Sequence, residues 1–299
     1  MTGAVKGNFR RARVLLPAHI DGPESRCDRP KPMILRARPL LAAAVCLLAG
    51  GCTPQAARDT GPLRVGMGVD RPGLAVRSGD GYAGLDVDVA NYVAARLRRD
   101  GIRIVPTPRA QRAMVLTTGQ VDMVVSGFSA TPHRAEQVTF AGAYLVVHQR
   151  LMTRVSSAMT LDRVTSRRLC AAYGSTAQDY VIEKFPGVHL FVQDSYAACM
   201  ERLLDRRVDG VLADDVVLTG YADQAAYDSK VVIKSATATT ETYAIGLPKG
   251  ELTLCRQVNE AVADMVATGA WQRSVEAHLA PMGYVVDKAV NPPPQQPCA

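Results

Sequence analysis

Two stretches decide the fold: Ala143-Tyr144-Leu145-Val146-Val147-His148-Gln149-Arg150-Leu151-Met152-Thr153-Arg154 and Ala236-Thr237-Ala238-Thr239-Thr240-Glu241-Thr242-Tyr243-Ala244-Ile245-Gly246-Leu247-Pro248. Both read as long extended runs without a helix of their own. Around them, from Leu63 to Ala280, short β-branched runs alternate with amphipathic helices, the α/β pattern of mainly parallel sheets covered by helices. A chain that crosses twice along these runs builds one lobe from 62–145 and 248–285 and a second from 146–247, hinge strands included. A ligand is then expected in the crevice between lobes, at the carboxyl ends of the strands, where hinge closure can enclose it.

Strands are expected at Leu63–Gly68, Arg103–Pro106, Asp122–Gly127, Leu169–Ala172, Leu190–Val192, Gly210–Ala213 and Val231–Lys234. Between Asp86 and Arg99, Val89, Val93 and Leu97 recur every four residues beside Ala90 and Ala94, giving a helix one apolar face. Val258, Val262, Met265 and Val266 repeat that spacing, and Gly269 ends their helix before another begins near Trp271.

The net charge of +7 and pI near 9.1 invite a nucleic-acid reading until the charges are located. Residues 1–51 hold nine Lys and Arg against three acids, which leaves 26 positive and 25 negative residues from 52 onward. The basic character belongs to a leader, so no nucleic-acid partner is expected. Arg36 and Arg38 precede the apolar stretch Pro39–Leu48 and the small residues Ala49, Gly50 and Gly51, as in an export signal; the stretch is too short to span a bilayer. A signal starting at Met33 has ordinary proportions, so 1–32 reads as an over-long start, with 52–61 as a linker and 286–299 as a Pro-rich tail.

Export makes disulfides the first reading of the remaining cysteines, Cys170, Cys199, Cys255 and Cys298. Cys170 sits in an apolar strand-like run and Cys199 in the next-but-one helix of the same lobe, so these two are paired here. Cys298 hangs on a tail expected to be extended and mobile, and its pairing with Cys255 stays open. No C-x-x-C, H-E-x-x-H or close His pair occurs, so neither a metal site nor a cofactor is expected.

Seven stretches carry a resemblance to a known family. They are Gly84–Ala90; Gln111-Arg112 with Leu116, Gly119 and Val121-Asp122; Gly127-Phe128-Ser129-Ala130-Thr131-Pro132-His133-Arg134, with Phe140 and Tyr144; Tyr173-Gly174-Ser175-Thr176; Val211–Asp215; Tyr243–Leu247; and Gly269-Ala270-Trp271. In this order and spacing, over about 62–285, the chain resembles the extracellular solute-binding proteins, family 3, of polar amino acid ABC importers. The resemblance implies a two-lobed, periplasmic-binding-protein-like (type II) fold, an amino acid ligand and a membrane permease with its ATPase as partner. A monomer is expected. Leu48-Ala49-Gly50-Gly51-Cys52 resembles a lipobox, with Leu four residues before the Cys rather than three. It implies acylation of Cys52 and anchoring to the outer face of the cell membrane. The Cys170 and Cys199 placement is similar to glutamate- and glutamine-type binding lipoproteins.

A free amino acid offers an α-carboxylate and an α-ammonium. Arg134 is assigned to the carboxylate, because a guanidinium grips both oxygens in parallel; the alternative is a solvated turn charge. Ser129 adds a hydroxyl and N–H there, unless it is an ordinary turn residue, and the resemblance turns the Gly127 carbonyl toward the ammonium. Ser175 opens a helix whose N–H groups favour an anion, a role compatible with a plain N-cap. Asp214 is the expected ammonium partner, with Asp215 capping the next helix. Arg112 matches the arginine that reaches the distal carboxylate in acidic-ligand relatives. Arg71 stands where glutamine-type relatives carry an aromatic, and Gly68 where they carry an acid, which favours glutamate or aspartate; Arg71 also reads as surface charge. Tyr196 is read either as a side-chain donor or as lobe-edge packing. Gly84 and Asp86 are read as architectural, with Asp86 starting the helix.

These residues define a binding receptor. A sensor feeding a signalling partner would carry the same site, and importer genes beside this one would favour transport. An enzyme on this scaffold lacks sequence support, since no G-x-S-x-G, metal spacing or evident carboxylate pair is present.

Overall fold

The computed structural model describes residues 60–298, all within one compact unit. The export signal and Cys52 lie outside the described residues. The elements run β1 (Leu63–Met67), β2 (Asp70–Arg71), β3 (Ala75–Ser78), β4 (Gly81–Ala83), α1 (Leu85–Arg96), β5 (Ile102–Pro106), α2 (Arg112–Thr117), β6 (Met123–Val124) and α3 (Pro132–Ala135). Then come β7 (Val138–Arg154), β8 (Arg168–Ala172), α4 (Thr176–Lys184), β9 (His189–Gln193), α5 (Tyr196–Leu204), β10 (Gly210–Asp214) and α6 (Asp215–Ala222). The long strand β11 (Val231–Pro248) leads to α7 (Leu252–Ala267) and α8 (Ala270–His278).

One eight-stranded sheet has the order β5-β1-β6-β11-β7-β10-β8-β9. Two parallel triplets, β5-β1-β6 and β10-β8-β9, flank the antiparallel pair β7 and β11. The 17 and 18 residues of that pair make it long enough to serve both triplets. β6 pairs with Gly246 near the end of β11, and β10 pairs with Gln149–Thr153 near the end of β7. Between those points the register breaks around Thr237–Thr240 and Tyr243–Ile245, so the ladder bends as it passes from one lobe to the other. This is a two-lobed α/β fold of the type II periplasmic-binding kind, joined by two crossover strands.

β10 is buried along its whole length, as expected where helices cover both faces of a parallel strand. Val89, Ala90, Val93 and Ala94 form the buried face of α1, matching the four-residue spacing. Trp271, at the start of α8, donates its indole N–H to the Tyr144 carbonyl at 2.6 Å, tying the C-terminal helices to a crossover strand.

Two architectural expectations are corrected. Asp86 does not start α1: Gly84 is the N-cap and Leu85 the first residue, while Asp86 is fully buried in an ion pair described below. The tail is not loose. Asn291 bonds both the N–H and the carbonyl of Val146 at 2.8 and 2.9 Å, Gln295 donates to the Ala143 carbonyl at 2.8 Å, and Cys298 is disulfide-bonded to Cys255. Proline-rich composition sets an extended backbone, and side-chain amides on the neighbouring strand then hold it.

The Cys170–Cys199 disulfide joins β8 to α5. Its 29-residue separation predicts that Cys199→Ala lowers stability by about 3–4 kcal/mol through the freed unfolded chain. Urea unfolding of the oxidised protein and the variant measures the difference.

Candidate functional site

Strand ends and helix starts from both lobes converge on one cleft. Arg71, Arg112, Gly127, Ser129, Arg134, Ser175, Tyr196 and Asp214, all assigned from sequence, line it. Arg109, Thr176 and Tyr243, which were not assigned, complete the wall.

Arg112 is the first residue of α2 and is 3% exposed. Its Nε donates to the Arg109 carbonyl at 2.8 Å and its Nη1 to the Ser126 and Gly127 carbonyls at 3.3 and 3.2 Å. The Gly127 carbonyl, expected to face an ammonium, is therefore occupied by a guanidinium. Arg134 projects from α3, whose Thr131 N-cap accepts from the Arg134 N–H, and its Nη1 donates to the Ser129 carbonyl at 3.0 Å. Both guanidiniums lie over the Phe128 ring, at 4.3 and 5.2 Å from its centroid. The buried cluster of Val115, Leu116, Val124 and Val138 fixes that ring.

The second lobe meets these cations with a carbonyl. Gly174 accepts from Arg112 Nη2 at 3.3 Å and from Arg134 Nη2 at 3.1 Å. Its φ of +71° suits glycine, and a Cβ there would lie 2.8 Å from the Ala110 Cα, so the backbones of the two lobes touch only because no side chain intervenes. The next residue, Ser175, is the N-cap of α4 and accepts from the Gln178 N–H at 3.1 Å, which leaves the first helical N–H groups at the cavity wall.

Neither Arg112 nor Arg134 forms an ion pair among the described residues. Burial and then the neighbouring Arg134, Arg109 and Arg71 push the Arg112 pKa well down. Burial also lowers that of Arg134, although Glu241, Asp179 and Asp214 oppose it. Cations that repel one another in a site partly withdrawn from water are stabilised by an anion.

Arg71 behaves differently, and its reading as surface charge is overturned: it is 3% exposed. Its Nη2 meets Asp86 Oδ2 at 2.9 Å and the Gly68 carbonyl at 3.0 Å, while Tyr144 donates to Asp86 Oδ1 at 2.6 Å. Burial opposes the Arg71 charge, but Asp86 and Asp70 outweigh it and raise the pKa. Arg71 lines the cavity with its charge already matched.

Opposite the arginines, Asp214 ends β10 and is 7% exposed. Oδ2 accepts from the Tyr243 hydroxyl at 2.5 Å, and Oδ1 has no hydrogen-bond partner among the described residues. Burial, with Glu241 and Asp215 also raising it, pushes its carboxyl up to about 6 despite the Tyr243 bond. Asp215 is the first residue of α6 rather than its N-cap, a position that Asp214 takes, and it accepts from the N–H groups of Val216 and His148 and from the Tyr284 hydroxyl. Tyr196 opens α5, with its ring 4.1 Å below the Arg109 guanidinium.

Arg109 carried no signal beyond being a basic residue between two turn-forming stretches, and Tyr243, although it opens one of the stretches that carry the family resemblance, had no ligand role assigned. Among the described residues no group of three His, Cys, Asp or Glu is placed to hold a metal, and no helix is long and apolar enough to cross a membrane.

A cleft lined by charges from two lobes that share crossover strands defines a solute-binding receptor. The model for bacterial extracellular solute-binding proteins, family 3, matches residues 63–281, and the chain belongs to that family. It is 34% identical over 256 residues to the glutamate-binding protein GluB of Corynebacterium efficiens, covering 80% of this chain and 86% of that protein. It is 35% identical to GluB of Corynebacterium glutamicum, over 80% and 85% of the two chains. The glutamine-binding protein GlnH of Bacillus subtilis is 24% identical over 73% of this chain and 81% of its own. Among solved structures, a solute receptor for L-cysteine from Neisseria gonorrhoeae superposes with a TM-score of 0.69 at 26% identity, over 76% of this chain and 94% of that one.

Proposed function

We propose that this chain is the substrate-binding lipoprotein of an amino acid ABC importer and that it captures glutamate or aspartate ahead of glutamine or asparagine. The observation that carries the reading is the charge set of the cleft. Two guanidiniums without ion-pair partners, the buried Arg112 and the half-buried Arg134, share the cleft with one carboxylate oxygen without a hydrogen-bond partner, on Asp214. An acidic amino acid is the mirror image, with two carboxylates and one ammonium. A neutral amino acid leaves one guanidinium unmatched in a desolvated site. The likeness to two glutamate-binding proteins at about a third of positions supports the same ligand class.

In this reading Arg134 and Ser129 hold the α-carboxylate with the N–H groups around Ser175, Asp214 holds the ammonium, and Arg112 meets the distal carboxylate. Because those groups come from both lobes, ligand favours the closed arrangement, which the permease reads. The lobes divide within β7 and β11, and an acyl chain on Cys52 keeps the monomeric receptor at the outer face of the cell membrane. Such a receptor releases its ligand unchanged, without enzymatic conversion.

Calorimetric titration of the purified protein, unfolded and refolded with its disulfides intact to strip bound ligand, tests the proposal with glutamate, aspartate, glutamine, asparagine and arginine. Glutamate or aspartate is expected to bind tightest, and Arg112→Ala to weaken it by about 2–5 kcal/mol. Preference for glutamine or arginine keeps the receptor class and overturns the acidic-ligand assignment.

A further inference from the structure

A second cavity abuts the first. Gly68, Val69, Asp70, Pro106, Thr107, Pro108, Ser126 and Asp194 line it, and Arg71 and Arg109 belong to both walls. In this closed arrangement the inner cavity is drawn tight around its side chains, with a volume of about 10 Å³, whereas the outer one has about 340 Å³. Arg71 is fastened by Asp86, Ser126 and the Gly68 carbonyl. Arg109 is the less firmly fastened half of the wall. Its side chain is 10% exposed, its guanidinium rests on the Tyr196 ring of the opposite lobe, and its nearest carboxylate is Asp70 at the long distance of 3.7 Å.

We propose that Arg109, lying across the closed cleft on Tyr196, is the partition that limits the length of the ligand: it ends the inner cavity behind the distal group of an amino acid and excludes acidic compounds extended beyond it. This deepens the acidic-ligand reading above and rests on it. A guanidinium on a tyrosine face is held by the ring quadrupole, and because the ring comes from the other lobe, the wall is complete only when the lobes have met. Cutting Arg109 back to its Cβ joins the inner cavity to the outer one. The outer walls, Val69, Pro106 and Pro108 with Asp194 across the cleft, then accept the extension. A γ-glutamyl dipeptide is the fitting probe: it keeps the α-carboxylate and α-ammonium, turns the γ-carboxylate into an amide and carries its terminal carboxylate farther out, so the effect of the partition is read from the change in the ratio between variants.

Affinities for glutamate and γ-glutamylglycine, measured on the purified protein, on Arg109→Ala and on Arg109→Gln, test this. The unsubstituted protein is expected to prefer glutamate by roughly 100-fold or more, and Arg109→Ala to cut that ratio at least about tenfold. Arg109→Gln, which retains most of the bulk without the charge, is expected to cut it less. Parallel weakening of both ligands with an unchanged ratio overturns the partition, as does equal binding of both by the unsubstituted protein. A fall in Arg109→Gln as large as in Arg109→Ala assigns the selectivity to charge rather than length and also overturns it. A preference for glutamine defeats the acidic-ligand reading alone, and the partition is then read from the glutamine to γ-glutamylglycine ratio in the same variants. Binding of none of these compounds sinks both.

Discussion

Arg134→Lys is expected to weaken binding of the acidic amino acid by about 100-fold or more, although charge is conserved. In the structure one guanidinium does three things at once: Nη1 donates to Ser129, Nη2 donates to Gly174 of the other lobe, and its face lies over Phe128. A lysine ammonium supplies a point charge, but it cannot make two parallel bonds to a carboxylate while remaining anchored to a carbonyl in each lobe. Because Arg134 bridges the lobes, the change also removes a contact of the closed arrangement, so the loss should appear chiefly in the dissociation rate. Stopped-flow displacement together with calorimetry checks both parts. A Kd within threefold of the unsubstituted protein would mean that Arg134 is a structural latch and that the α-carboxylate is held elsewhere.

The parts of the molecule that could be read in advance are those whose signals are local. β1, β5, β8, β9 and β10 coincide with short β-branched runs, and β7 and β11 contain the two long extended stretches. The expected strand over Asp122–Gly127 shrinks to Met123–Val124, because Ser126 turns its hydroxyl to the Gly68 N–H and Gly127 takes a φ of +47°. The small sheet of β2, β3 and β4 was not foreseen. Its strands are two to four residues long and include Asp70, Arg71 and Ser78, too short and polar for an alternating pattern to show.

Within the site the same division holds. Arg112, Arg134, Ser175 and Asp214 each follow a strand or open a helix, so their own neighbours in sequence announce them. The Arg71–Asp86 pair, the Tyr243–Asp214 bond and the seat of Arg109 on Tyr196 join segments 15, 29 and 87 residues apart. Only the folded chain brings them together. Asp86 shows the consequence: two residues after a glycine it reads as the start of a helix, whereas burial makes it the counter-ion that fixes which cavity arginines still lack a partner.

Asp214→Asn is expected to move binding and stability in opposite directions. The Asp214 carboxyl titrates at about 6 in the folded protein against 3.8 as its ordinary value. The native state therefore holds a proton that the unfolded chain has released, and stability falls as pH rises from about 4 to 6. Above that window the ionised, buried carboxylate costs about 3 kcal/mol. Asparagine removes the charge and can still accept from Tyr243, so the variant should unfold at a higher temperature at pH 7, the gain vanishing below about pH 4. Ligand affinity should collapse, because the ammonium loses its counter-charge while Arg112 and Arg134 keep theirs. In the unsubstituted protein the same carboxyl must be ionised to accept the ammonium. Affinity should then be nearly level above pH 7 and about tenfold weaker at pH 5, and the variant should lack that dependence. Thermal melts and titrations at pH 4, 5, 6 and 7 separate the two effects. A lower melting temperature for the variant at pH 7, or an affinity indifferent to pH between 5 and 7, would remove Asp214 from the ammonium site and assign that oxygen to the architecture of β10 and β11.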